Sequence, residues 1–369
     1  MKSFCYLSYR PKYSGYGYGV QQFANAFKRR GFSFTFRHDA HLKKHPVKED
    51  VVIHSGFPHF FRLDGRRINI ARVMLESDSL PRLWVDVLNS MDEVWAASRF
   101  NAGTFKNAGV DPSKIHVVPD IADPRFAHAA KLRKGRKGRA SGKSFRFLSV
   151  FLDLSLRKGY DLMFSEFIKN FSGRKDVEWA VQCSANAAKG FRILLADVKK
   201  TGVDVGNIII IGKRPSAREL ERLYLRADCY VLPTRGEGFG RPYLEAASTG
   251  LPVIATGFGG QRDFLNSKNS RLLDYRLVNV PAPDALDCYF LAGQRWAQPS
   301  RADLSRALNE ALERPKREPV DVSEFTEERV MDIISKRLDK VRKVSKVPKI
   351  FAPQIITYDK NWKEAQPSP

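Results

Sequence analysis

Two glutamates, Glu237 and Glu245, stand with seven residues between them in Thr234-Arg235-Gly236-Glu237-Gly238-Phe239-Gly240-Arg241-Pro242-Tyr243-Leu244-Glu245. A carboxylate accepts two hydrogen bonds at once, which suits it to a pair of adjacent hydroxyls. Glu245 fits the two hydroxyls of a ribose, and Glu237, nearer the preceding strand, fits the hydroxyls of a second sugar. Gly236, Gly238 and Gly240 let the backbone bend sharply and come close to a ligand. Amides at a helix start face anionic oxygens, and Arg241 adds positive charge there. The plainer reading is that Glu245 only favours a helix dipole and that Glu237 is a solvated loop residue.

The elements that must position these residues are legible around them. Cys229–Leu232 reads as a strand, 233–240 as a Gly-rich turn and Arg241–Thr249 as a helix. Pro242 suits the first helical turn, where its missing N–H is not needed. Gly250 suits the position just past the helix end, and Val253–Ala255 reads as the next strand. The same alternation runs through the chain. Strands are expected at 4–8, 32–37, 50–54, 68–75, 93–96, 115–118, 145–151, 177–182 and 207–211. Helices are expected at 20–30, 99–108, 160–171, 188–200, 216–227 and 301–313. Such alternation implies an α/β fold with parallel sheets covered on both faces. Residues 127–143 are basic and Gly-rich and read as an exposed linker or a long loop. The expected organisation is therefore a domain at 1–126, the linker, a second domain at 144–323, and a last segment at 324–369. That segment holds a helix at about 324–341, able to cross back to the first domain, and a tail from Pro348. Two such domains in tandem are expected to hold a ligand at the carboxyl ends of their strands.

Composition narrows the partners. The 369 residues carry a formal charge of +23, which favours anionic partners: nucleotide diphosphates, acidic lipids, acidic glycans or nucleic acid. Basic blocks lie at 131–139 and 336–349, where solvated linkers or tails are the plainer reading. Cys5, Cys183, Cys229 and Cys288 are too widely spaced for a metal or redox motif. Cys5 and Cys229 sit in apolar runs and read as buried thiols, a usage suited to a reducing compartment. No secretory signal or membrane-length apolar run is apparent. The expectation is a cytoplasmic protein that could touch a membrane peripherally.

The 227–255 segment resembles the signature of the retaining glycosyltransferase family 4 (glycosyl transferases group 1), with its paired glutamates and its GT-B fold of two Rossmann-like domains. Leu223-Tyr224-Leu225-Arg226-Ala227-Asp228 is also similar to that family. The resemblance implies nucleotide-sugar chemistry with retention of configuration, in which Glu237 orients the donor and does not attack. Leu156-Arg157-Lys158-Gly159 resembles the family's Lys-Gly turn, which makes Lys158 the implied diphosphate ligand. An arginine usual a few residues earlier is absent, since Phe151, Leu152 and Asp153 stand there. Arg157 or Arg241 could take its place. Lys213 and Arg214 lie near where relatives hold the base. Ser14-Gly15-Tyr16-Gly17-Tyr18-Gly19, placed before a helix, is similar to the family's glycine loop, so Gly15 and Gly17 join the implied donor contacts. Gly238, Phe239 and Gly240 join them too. Asp78 resembles a polar position that meets donor or acceptor, and it stands beside Glu237 and Lys158 as an implied catalytic residue. His54 could face the ligand or belong to the core.

The implied reaction passes a hexosyl group from a nucleoside diphosphate sugar to a hydroxyl of a glycan, a lipid-linked saccharide or another acceptor. No Asp-X-Asp element stands out, so neither a metal nor any cofactor besides the donor substrate is expected. Three rivals to this chemistry have some support in the residues. A nicotinamide-dependent oxidoreductase is suggested by Gly15-X-Gly17-X-Gly19 with Asp39 twenty residues on, but the spacing is not Gly-X-Gly-X-X-Gly and it leaves 237–250 unexplained. A nucleic-acid-binding protein is suggested by the charge, but the basic blocks lack interleaved aromatic platforms. A degenerate, sugar-nucleotide-binding subunit is suggested by the missing arginine.

Overall fold

The computed structural model describes residues 3–8, 15–38, 47–126, 129, 133, 144–281, 293–313, 315 and 317–344. Ser14, Asp39, His41, His45, Cys288, the basic block at 131–139 apart from Arg133, residues 345–349 and the tail lie outside them. The chain divides into two compact units. One holds residues 1–75, 79–121 and 327–369; the other holds 76–78 and 122–326.

The first unit is built on strands β1 (Phe4–Ser8), β2 (Phe34–His38), β3 (Val51–Ser55), β4 (Ile68–Val73), β5 (Glu93–Ala96) and β6 (Ile115–Val117). They form one parallel sheet in the order β2-β1-β3-β4-β5-β6. β1 and β3 are buried along their whole length, as strands covered on both faces must be. Helix α1 (Gly15–Arg29) lays Val20, Phe23 and Phe27 on the sheet, where Phe27 meets Phe4 edge-on at 5.0 Å. Gly15, Gly17 and Gly19 therefore lie inside the first turns of this helix, not ahead of it as the sequence pattern suggests. Glycine in a helix costs only about 1 kcal/mol each, which the packing of one apolar face can offset. Helix α2 (Arg82–Asn89) follows Pro81 and buries Trp84, Val85, Val87 and Leu88; the sequence reading assigned nothing there. Helix α3 (Arg99–Asn107) is capped by Ser98, whose hydroxyl accepts from the Asn101 amide.

The last described helix belongs to this same unit. Its residues Val330, Ile334, Leu338 and Val341 recur at helical spacing and enter the core of Phe4, Tyr6, Phe23 and Phe27. Arg337 pairs with the buried Glu93, and Arg29 with Glu327. One cation of the second basic block is thus structural.

The second unit carries β7 (Phe145–Val150), β8 (Val177–Gln182), β9 (Ile208–Ile211), β10 (Cys229–Leu232), β11 (Val253–Thr256) and β12 (Arg271–Leu273). These form a second parallel sheet, ordered β12-β11-β10-β7-β8-β9. An antiparallel pair follows, β13 (Tyr275–Asn279) with β14 (Arg295–Pro299), in a stretch where the sequence reading placed no element. The helices are α4 (Tyr160–Phe171), α5 (Ala185–Lys200), α6 (Ala217–Arg226), α7 (Arg241–Ser248) and α8 (Arg301–Leu312); α9 (Glu327–Val344) is the helix of the first unit described above. Helix α6 opens with a capping box, Ser216 with Glu219, and Arg133 donates to the Tyr224 and Ala227 carbonyls at its far end.

Candidate functional site

Strand order makes the site. The chain runs from β7 outward to β8 and β9, then returns to lay β10 on the other side of β7. At such a switch point the loops leaving two adjacent strands diverge and open a crevice at their carboxyl ends. The loop after β7 carries Arg157 and Lys158, and the loop after β10 carries Glu237.

Lys158 Nζ lies 2.6 Å from Glu237 Oε1, and Arg157 Nη1 lies 3.3 Å from the same oxygen. Arg157 Nη1 also donates to the Gly236 carbonyl at 2.9 Å. The turn that presents the two cations is a single 3₁₀ turn, Leu156–Lys158, with the Ser155 hydroxyl accepting from the Arg157 amide. Gly159 ends the turn at φ 67°, and a Cβ there would stand 1.9 Å from the Pro233 carbonyl oxygen. Only glycine allows both the left-handed backbone and that approach. Glu237 is 7% exposed, so it is not the solvated loop residue of the plainer reading.

A further carboxylate joins them that the sequence reading did not single out. Glu76 Oε1 is 3.7 Å from Arg157 Nη2. Its own carbonyl presses on the loop, since a Cβ on Gly236 would lie 1.8 Å from Glu76 O. The short segment Glu76–Asp78 belongs to the second unit although its chain neighbours belong to the first. No local pattern announces such an insertion; the acidic Glu76-Ser77-Asp78 composition was the only available sign. Asp78 contacts Arg295 instead of the Lys158 cluster. Its carboxylate takes the Arg295 amide and Nε, each at 2.8 Å, while its own amide donates to the Arg295 carbonyl. That geometry makes Asp78 an anchor of this segment to β14.

Glu245 sits on α7 with its side chain 12% exposed, where it accepts from the Tyr224 hydroxyl at 2.9 Å and lies 3.8 Å from Arg241 Nη2. Burial pushes its carboxyl above the usual range, and nearby Asp123 adds to the rise; Arg241 and the Tyr224 hydrogen bond oppose it. Tyr224 is fully buried, and burial together with Glu245 holds its phenol well above the ordinary value. It remains a donor, fixing one oxygen of Glu245. Gly240, at φ 92°, starts α7, and Gly260 N donates to the Glu237 carbonyl at 2.7 Å. Phe239 is fully buried against Phe264 and Phe325, so its side chain belongs to the core and offers nothing to a ligand.

The remaining candidates lie elsewhere. Arg214 is exposed after β9, two strands from β7, or about 10 Å across the sheet. Neighbouring Lys213 pairs with Glu219 of the capping box at 2.6 Å. His54 is a core histidine on β3, 1% exposed and bonded to Asn69 Oδ1 at 3.1 Å. Cys5, Cys183 and Cys229 are buried free thiols, each pushed above its ordinary range chiefly by burial.

Residues 152–286 match the family described as "Glycosyl transferases group 1". A lipopolysaccharide core biosynthesis mannosyltransferase, LpsB of Rhizobium meliloti, is 26% identical over 47% of this chain and 47% of its own length. A GDP-mannose-dependent alpha-(1-6)-phosphatidylinositol monomannoside mannosyltransferase of Mycolicibacterium smegmatis is 28% identical over 57% of this chain and 58% of its own. The chain thus spans about half the length of the curated relatives it matches. Among solved structures, Anabaena Alr3699/HepE in complex with UDP and glucose aligns with a TM-score of 0.65 at 14% identity, over 92% of this chain and 100% of that one. WaaG, a glycosyltransferase involved in lipopolysaccharide biosynthesis, aligns at 0.54 and 16% identity, over 94% and 100%. The two parallel six-stranded sheets and these likenesses identify the fold as α/β of the GT-B type.

Proposed function

We propose that this protein is a retaining glycosyltransferase of family 4 that moves a hexosyl group from a UDP- or GDP-sugar to a hydroxyl of a glycan or lipid-linked acceptor. The observation that carries the proposal is the meeting of Arg157 and Lys158 with Glu237 at the β7/β10 switch point, with Glu245, its side chain about one-tenth exposed, on the short helix that follows. Glu237 is the anionic partner of both cations. A diphosphate offers them a second anionic partner, and Glu237 then turns its oxygens to sugar hydroxyls.

The difficulty of the reaction is charge. Negative charge grows on the leaving diphosphate as the glycosidic bond breaks, and fixed cations in a water-poor site stabilise it. Lys158 and Arg157 fill that role, Glu245 holds the ribose hydroxyls, and Glu237 orients the hexose. Arg157, one residue before Lys158, stands in for the arginine missing at 151–153, which favours an active enzyme over a degenerate binding subunit. A GDP-mannose-dependent relative and a neighbour bound to UDP keep both bases in view. We place the reaction in the cytoplasm, without a metal, and with peripheral contact to anionic membrane or acidic glycan through the basic blocks. Among the described residues no helix is long and apolar enough to cross a membrane.

The test is a thermal-shift screen of UDP, GDP, ADP and their sugars, followed by transfer assays with and without EDTA. A shift with one diphosphate, enlarged by its sugar and indifferent to EDTA, is expected. No shift with any nucleotide would sink the proposal.

A further inference from the structure

Arg235 is the charged residue of this loop that the proposed reaction leaves without a role. It is 6% exposed, and its donors are turned into the protein. Nη1 and Nη2 bond both oxygens of Asp161 at 2.8 and 2.7 Å, Nη1 also bonds the Leu156 carbonyl, and Nε bonds Gln298 Oε1 at 2.9 Å. Its backbone is used as well. The Arg235 amide donates to the Arg157 carbonyl at 2.7 Å, and its carbonyl accepts from the Ala297 amide at 2.8 Å. The guanidinium stands 5.9 Å from the Trp296 ring.

Two loops are therefore tied by two arginines pointing opposite ways. Arg157 reaches from the β7 loop to the Gly236 carbonyl and Glu237. Arg235 reaches from the β10 loop to the Leu156 carbonyl and to Asp161 in the first turn of α4. A bidentate guanidinium–carboxylate pair fixes direction as well as distance, which a lysine cannot do. The third tie, to Gln298 and Ala297, braces the assembly on β14.

We propose that Arg235, with Asp161, is a positioning residue that sets the distance and angle between the Arg157–Lys158 turn and Glu237. This rests on the nucleotide-sugar reading for its catalytic consequence, but not for its structural one. Arg235 touches no substrate; it acts through the two loops it joins.

The experiment compares Arg235→Gln, Arg235→Lys and the milder Asp161→Asn in the full chain. Amide hydrogen exchange without ligand should rise at least tenfold at 155–159 and 235–238, while β8 and the body of α4 keep their protection. Binding of UDP or GDP should weaken tenfold or more, and that of UMP or GMP, held through Glu245, less than threefold. Arg235→Lys should recover part of both. Unchanged exchange, or a uniform rise through the unit, overturns the proposal, as does equal weakening of mono- and diphosphates. If wild-type protein binds no nucleotide, the functional reading falls while the exchange result still decides the role of Arg235.

Discussion

Lys158 and Glu237 are 79 residues apart in sequence and 2.6 Å apart in space, Nζ to Oε1. Each side chain is about one-tenth exposed. A pair this buried is costly to break, because removing one partner strands the other.

Substituting Lys158→Met should therefore lower kcat by roughly 10²–10³-fold, the usual cost of losing one preorganised charge donor. It should also destabilise the free protein, and adding Glu237→Gln should restore part of that loss. Steady-state kinetics and chemical denaturation of the two single variants and the double variant read both effects. A double variant no more stable than Lys158→Met would show that the pair is not coupled. Glu237→Gln alone should reduce transfer more than nucleotide binding.

Glu245 gives a pH-dependent prediction. Its carboxyl is raised in the folded state, so the fold favours the protonated form and loses stability as pH rises from the ordinary carboxylate value through the raised one. Glu245→Gln removes the poorly solvated charge. The variant should be more stable than wild type at neutral pH, and the gap should close as pH falls toward 4.5. Its nucleotide-induced thermal shift should nevertheless shrink, because a neutral amide accepts less strongly from ribose hydroxyls. A less stable variant at neutral pH would contradict this account.

Gly159 tests the turn itself. An added methyl meets a backbone oxygen that cannot rotate away, and φ is 67°. Gly159→Ala should cost about 1–3 kcal/mol from backbone strain alone, with donor binding impaired beyond what the lost stability explains. Urea denaturation and nucleotide titration on the same samples separate the two.

His54 governs part of the acid response. Asn69 Nδ2 donates to the Asp64 and Arg67 carbonyls, so its Oδ1 accepts and His54 Nε2 carries the proton. Burial holds the imidazole down at about 4 from an ordinary 6.5. The unfolded chain takes up a proton below 6.5 that the folded one refuses, so stability is lost as pH falls from 6.5 to 4, by about 3 kcal/mol in total. Denaturation at stepped pH should show this slope in wild type and a flatter one in His54→Gln.

The local pieces are encoded in short windows of the chain. β1, β5, β8, β10 and α4 fall where apolar runs, periodicity and Gly or Pro punctuation put them. The spacing of Glu237 and Glu245 marked the site, because strand, turn and helix are encoded within a few neighbouring residues. Pattern failed where tertiary packing overrode it. α1 begins five residues earlier than expected because its glycines ride on a well-packed aromatic face, and α2 forms after Pro81 around buried Trp84. Three relationships arise from packing alone: β10 lies beside β7, which brings Arg157 and Lys158 to Glu237; Glu76 joins them from a segment far upstream; and α9 packs on the first unit. Strand order and long-range docking depend on which apolar faces cover one another. No window of neighbouring residues contains that information.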